Sequence, residues 1–378
     1  MSQYVGYTLL LYSAAVVTTR LFAFEYISLA DICATVVSVV AVATLAFQDT
    51  NEALSVPISG LNLLAMYLVW KHHVRGTEPR KEDMRGMVCI ITGCNSGIGV
   101  ETARNLAKMG AQVIMACRNM KSGEAVRLDI LNSTGNSNVQ LLELDLGDFD
   151  SVRSFVAHVE GFYSKVDVLI NNAGVMTPSR GESKQGIEMM MQTNFLAPFL
   201  LTLLLVPMLH KSKCARIVMV SSTMHRFTCL QHGGFDFDDM FSKSDFGMFK
   251  SYGQSKLAIE LFKFEFNRRL REAGSHIVIN SLNPGSIKTS ISKDWHWILA
   301  NGHELIQPLL KTPVSGAYTT TYVATNKSLR STSGKWFENS KIVQQTTKAS
   351  DPQDAKRLFD LAEKLVNFEI VFNQNHIK

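Results

Sequence analysis

Tyr252 and Lys256 stand four residues apart in the segment Tyr-Gly-Gln-Ser-Lys. On a helix that spacing puts both side chains on one face. An unperturbed phenol titrates near ~10, too high to pass protons easily at neutral pH. An ammonium beside it favours the phenolate and is expected to lower that value. The pair then suits a general acid toward a carbonyl, or a general base toward an alcohol. Ser222, the second of two adjacent serines, suits a hydroxyl that holds the same oxygen in line. Alone, a Tyr-x-x-x-Lys pattern describes a solvated helix face equally well.

A partner site upstream separates the two readings. Residues 92–99 read Thr-Gly-Cys-Asn-Ser-Gly-Ile-Gly, after the apolar run Met-Val-Cys-Ile-Ile and before a helical pattern from Val100 to about Met109. A strand, a glycine-rich turn and a helix N-terminus form a pyrophosphate cradle, because free N–H groups and the helix dipole attract negative charge. Gly93, Asn95, Ser96, Gly97, Ile98 and Gly99 are its expected members. In an NAD binder an acid at the end of the second strand holds the ribose 2′-OH. That place reads Cys117-Arg118-Asn119 here. Arginine can grip a 2′-phosphate bidentately, so NADP(H) is the expected cofactor. The competing role for Arg118 is a surface residue capping the next helix.

The elements that must position these residues alternate. Strands are expected at 87–91, 111–117, 139–144, 166–170, 215–221 and 276–282. Helices are expected at 121–131, from about 149, at 187–210 and at 249–271. That order implies an α/β fold with a Rossmann-type, doubly wound parallel sheet. Asn171-Asn172-Ala173-Gly174 closes the fourth strand.

The apolar residues, 46% of the 378, are concentrated in the first seventy. Of the stretches 4–19, 27–47 and 54–70, the second is comfortably long enough to span a bilayer, the third just is and the first falls short. Lys71, Arg75, Arg80, Lys81 and Arg85 follow, and basic residues beside a span favour the cytoplasmic side. An N-terminal transmembrane anchor of two or three helices at 1–70 is expected, with a basic linker at 71–86. The competing reading is a hairpin lying in one leaflet. The net charge of +5 and the lack of a Lys/Arg run argue against nucleic acid. The six cysteines form no C-x-x-C pair and read as reduced thiols rather than metal ligands.

Taken together, TGCNSGIG at 92–99, NNAG at 171–174, VSS at 220–222, YGQSK at 252–256 and NPGSIKT at 283–289 resemble the short-chain dehydrogenase/reductase family. The resemblance covers residues 87 to about 345. It implies Tyr252 as catalytic acid/base, Lys256 also on the nicotinamide ribose and Ser222 as the substrate-orienting serine. Asn194 in QTNFLAPFLLT would hold a relay water. It also implies Asp145 at the adenine and Asn172, Ala173 and Gly174 along the adenosine ribose. Pro284, Gly285, Ile287 and Thr289 would close over the carboxamide. ACRN at 116–119, SSTMHRF at 221–227 and the insert before Tyr252 resemble the group of retinol dehydrogenases, WW-domain oxidoreductase and X-linked dehydrogenase/reductase. His225 and Arg226 receive no chemical role at this level.

The segment after Thr289 carries Trp295 and Trp297 among aliphatics and is expected to be a lid suited to an apolar ligand or a membrane interface. The expected activity is reduction of a lipophilic carbonyl (retinoid, polyprenoid, steroid or lipid aldehyde) at the endoplasmic reticulum membrane, with the catalytic region cytosolic. The competing activities are a non-catalytic NADP(H)-binding membrane scaffold and an NAD-dependent steroid dehydrogenase. Residues 346–378 are expected to hold an amphipathic helix and tail, which either packs on the core or makes a homodimer contact.

Overall fold

The computed structural model describes residues 78–287 and 310–370, together with the short strands Phe372–Asn373 and His376–Ile377. The three apolar stretches, the first part of the basic linker, Thr289 and the tryptophan-bearing lid lie outside the described residues.

Continuous apolar runs become the central strands, because a parallel sheet covered on both faces buries both sides of each strand. β1 (Val88–Thr92), β4 (Val168–Asn171), β5 (Arg216–Val220) and β6 (Val278–Asn283) are buried at every position. β2 (Gln112–Cys117) and β3 (Val139–Glu143) extend the sheet on one side; β7 (Trp336–Glu338) and β8 (Lys341–Val343) extend it on the other. The strand order is β3-β2-β1-β4-β5-β6-β7-β8. All neighbours are parallel except β7 and β8. The order reverses between β1 and β4, where the carboxyl ends of the strands part and leave a crevice.

The helices divide between the two faces. α1 (Gly97–Lys108), α2 (Met120–Thr134) and α7 (Pro313–Thr325) lie with Cys89, Ile91, Val113 and Met115. α3 (Phe149–Phe162), α4 (Met189–His210), α6 (Met248–Glu272) and α8 (Pro352–Leu365) lie with Val88, Ile90 and Ile114. α5 (Met224–His232) packs against α6. α4 is long and apolar enough to cross a membrane, yet it is buried almost throughout and serves as a core helix.

The C-terminal helix α8 packs on the core. Phe359 meets Phe199 at 5.1 Å and Phe262 at 5.9 Å between ring centroids, and the Arg269 guanidinium sits 3.8 Å over its face. Leu358 is buried, while Leu361 and Leu365 are half-buried against the same cluster.

Candidate active site

The crevice begins at the glycine turn. Gly93 and Gly97 adopt φ of +66° and +61°, conformations that favour glycine. A Cβ at Gly93 would stand 2.7 Å from the Ala173 Cα, and one at Gly99 would collide with the Gly93 carbonyl oxygen. The backbone is thus folded back on itself, with the N-terminus of α1 opening from the turn at Gly97. Asn95 donates to the Ser122 hydroxyl at 3.0 Å and ties the turn to α2. Asn172 donates to the carbonyls of Thr92 and Gly93 at 2.8 and 3.2 Å. Its backbone N–H and that of Ala173 both donate to the Thr92 hydroxyl at 3.0 Å. Thr92 is therefore the staple between the two loops. Sequence reasoning passed over it, although a hydroxyl ending a strand just before the glycines was the available signal.

The rest of the cradle fits a dinucleotide. Arg118 follows β2 with its side chain 71% exposed and 4.0 Å from Asp145. Asn119, not Arg118, caps α2 by accepting from the Ser122 N–H at 3.0 Å. The guanidinium is left facing outward beside the turn. Asp145 accepts from the Gly147 N–H at 2.8 Å, which fixes its carboxylate. Beyond β6, Pro284 is buried and Gly285 turns with φ +93° over the aliphatic end of Lys311. Ile287 pairs with Lys311 across an isolated bridge. Its side chain and that of Ile98 converge on Gly316 of α7, where a Cβ would lie 2.5 Å from Ile287.

The acid–base group stands across the crevice. Ser222 follows β5, and Tyr252 and Lys256 lie one turn apart on α6. The Tyr252 hydroxyl is hydrogen-bonded to Ser222. Lys256 is buried; its ammonium donates to the Val220 carbonyl at 3.0 Å and lies 5.5 Å from the centre of the Tyr252 ring. Asn194 sits in the π-helical turn Gln192–Leu196 of α4, the kind of bulge that re-aims a side chain. It accepts from the Val175 N–H at 2.7 Å and donates to the Val175 carbonyl and the Ser255 hydroxyl, both at 2.9 Å. Both amide hydrogens are thereby engaged. At Gly174 a Cβ would lie 3.4 Å from both Asn194 Oδ1 and Lys256 Nζ. Glycine there keeps the two groups within one small space.

The electrostatics differ from the expectation for the pair. Burial pushes the Tyr252 phenol up to about 12, against the lowering effect of the Ser222 hydrogen bond. Burial likewise brings Lys256 down to about 8, with Glu260 pulling the other way. The sequence spacing suggested an ammonium that acidifies the hydroxyl. The structure puts that ammonium over the ring, buries Lys256 and half-buries Tyr252, so desolvation outweighs their attraction.

The comparisons with known proteins agree with this geometry. A family model described as short chain dehydrogenase matches residues 87–231. The chain is 36% identical over 321 residues to human retinol dehydrogenase 13, covering 83% of this chain and 95% of that protein. It is 37% identical over 295 residues to the WW domain-containing oxidoreductase of Gallus gallus, covering 76% of this chain and 70% of that protein. Among solved structures, an uncharacterized protein from Mycobacterium paratuberculosis superposes with a TM-score of 0.62 at 32% identity, covering 78% of this chain and 98% of that one.

Proposed function

This chain belongs to the short-chain dehydrogenase/reductase family, in its retinol dehydrogenase-like group, and from that premise we propose that it is a membrane-bound, NADP(H)-dependent reductase of lipophilic carbonyls. Residues 1–70 would serve as the anchor, 71–86 as the linker, 87–345 as the catalytic region and 346–378 as the closing helix and tail. The endoplasmic reticulum, with the catalytic region in the cytosol, is the location consistent with the basic residues after Trp70.

The cofactor assignment is supported by Arg118. It is an exposed guanidinium beside the glycine turn, with no acid in the place where an NAD binder carries one. Bound NADPH would supply the hydride. The work of this chain's own residues follows from their geometry. Ser222 donates to the Tyr252 oxygen, which leaves the Tyr252 proton free to point at an oxygen brought to the pair. As that oxygen gains negative charge, the Tyr252 hydroxyl stabilises it more than it stabilises the neutral carbonyl. Tyr252 then passes its proton to the oxygen. The phenolate left behind keeps the Ser222 hydrogen bond and the Lys256 ammonium over its ring.

The direction rests on one observation. Desolvation favours the neutral phenol, which is the form that reduction requires. Oxidation of an alcohol would need the phenolate instead. The lipophilic substrate class is supported by exposed apolar residues on the helix that follows Ser222 and on the one that carries Tyr252. Phe227 and Leu230 on α5 are 50% and 85% exposed, and Phe249, one turn before Tyr252, is 47% exposed.

The test is turnover by purified full-length protein in detergent with NADPH or NADH. The panel is retinal, a polyprenal, a keto-steroid and a small polar carbonyl. NADPH-dependent consumption of at least one lipid carbonyl is expected. Turnover of the polar carbonyl alone would overturn the substrate class, and equal use of NADH would overturn the cofactor assignment.

A further inference from the structure

Directly behind Ser222 lies a buried histidine that the acid–base group does not use. His225 is 0% exposed. Its ring meets Trp336 of β7 edge-on at 4.7 Å between centroids, and Trp336 is itself 1% exposed. Nδ1 lies 2.6 Å from the Ser222 carbonyl oxygen. A carbonyl oxygen only accepts, so this contact places the ring proton on Nδ1. The backbone N–H of His225 reaches the same oxygen at 3.3 Å. The Ser222 hydroxyl meanwhile accepts from the Met224 N–H at 3.2 Å and is bonded to Tyr252. Ser222 is therefore held at both ends by the first turn of α5.

The other ring nitrogen argues that this bond is the reason for a histidine. Nε2 is buried with no hydrogen-bond partner among the described residues. An unpaired polar atom in the interior costs free energy, and an apolar ring would pack on Trp336 without that cost. What imidazole adds over such a ring is the Nδ1–H donor aimed at Ser222. Around it the fold is tight, since a Cβ at Gly253, next to Tyr252, would collide with Thr228 of α5. A shift of the first turn of α5 would therefore be felt at both hydroxyls.

We propose that His225 is a positioning residue, whose Nδ1–H···O bond to the Ser222 carbonyl sets the direction of the Ser222 hydroxyl toward Tyr252 and the substrate oxygen. The inference rests on the oxidoreductase reading above. It does not make His225 a catalytic residue, because the ring acts through Ser222.

The shape of the imidazole supplies the test. An asparagine amide places its N–H donor where Nδ1 stands, whereas a glutamine amide places it nearer the position of Nε2. Full-length wild type, His225→Asn, His225→Gln and His225→Phe are compared with NADPH and the lipid carbonyl that wild type turns over. Misplacement of a reacting group by about an ångström can lower the rate by about 100-fold, and a fall in kcat of about that size is expected for His225→Phe and His225→Gln. The KM for NADPH and the thermal midpoint should stay near wild type, and His225→Asn should recover most of kcat. Full activity in His225→Phe would overturn the inference. So would equal losses in the Asn and Gln variants, or losses that track the thermal midpoint. Wild type inactive on every carbonyl would instead remove the oxidoreductase reading and the inference with it; an active wild type beside an indifferent His225→Phe removes the inference alone.

Discussion

The Lys256 ammonium is held over the face of the Tyr252 ring, 5.5 Å from its centre, by donation to the Val220 carbonyl at 3.0 Å. The lysine thus binds β5 to α6 as well as lending charge to the phenol. Tyr252→Phe removes the proton donor and little else. We expect kcat to fall by about 10²- to 10⁴-fold, the usual contribution of a positioned acid or base. NADPH affinity, measured by fluorescence titration, should be unchanged. Lys256→Met should lose both turnover and thermal stability, because the strand–helix tie goes with the charge. A Tyr252→Phe protein with undiminished turnover would leave only a cofactor-binding scaffold.

The two shifted groups fix the pH profile of reduction. Tyr252, pushed up to about 12, stays protonated across the accessible range. Lys256, brought down to about 8, loses its charge as pH rises through that value. kcat/KM should therefore be level below about pH 7 and fall as pH rises past 8, tenfold per unit at the steepest. A rate that climbs between pH 7 and 9 would contradict the assignment of Tyr252 as the acid.

Cofactor choice should turn on Arg118. Its only ion-pair neighbour among the described residues is Asp145 at 4.0 Å, and its side chain is 71% exposed. Hydrogen bonds to a charged group contribute about 1.5–3 kcal/mol, so Arg118→Ala should weaken NADPH binding by roughly 10- to 100-fold. NADH binding should hardly change. Calorimetric titration of both cofactors decides it; parallel losses would show that Arg118 does not read the 2′-phosphate.

Two glycines make a matched pair of substitutions. A Cβ at Gly99 would collide with the Gly93 carbonyl oxygen, whereas a Cβ at Gly161, near the end of α3, would meet nothing within 4 Å. Gly99→Ala must open the turn and should abolish dinucleotide binding. Gly161→Ala should be neutral or stabilising by about 0.5–1 kcal/mol, since alanine is the better helix former. Thermal melts with and without NADPH separate the two. A ligand-induced shift retained in Gly99→Ala would mean that the cradle lies elsewhere.

Much of this architecture is legible in the residues themselves. The runs at β1, β2, β4 and β5 are apolar through their middles, and glycines and polar residues mark where the strands end; β6 is broken by Asn280 and Ser281 yet buried throughout. The candidate site could be proposed from sequence because the chemistry expected of it needs fixed spacings. What escaped was short, or contrary to local propensity. β7 and β8 have three residues each, too few to show alternation. α7 contains Thr319, Thr320, Thr321 and Thr325, β-branched residues that read poorly as helix. It forms because Thr312 caps it, Pro313 starts it and its face is buried against α1. The direction of the Tyr252 shift was hidden for another reason, since desolvation belongs to the packed structure and to no spacing.

The helix that carries Tyr252 also carries an ion pair with both partners at 0% exposure. Lys263 donates to Glu260 at 2.8 Å, and also to Ser281 and Gln345 at 3.0 and 2.8 Å. Glu260 accepts from Ser281 at 2.7 Å and from Gln345. A buried pair of this kind contributes less through its attraction than its loss would suggest, because each charge alone is stranded in the interior. Lys263→Met should destabilise by about 3–5 kcal/mol, and Glu260→Leu similarly. The double substitution Glu260→Leu with Lys263→Met should cost clearly less than the sum of the singles, since neither charge is then left unpaired. Denaturant unfolding of the four proteins measures the coupling directly. Additive losses would mean that Ser281 and Gln345 satisfy each charge separately, and that the pair is an ion pair in geometry alone.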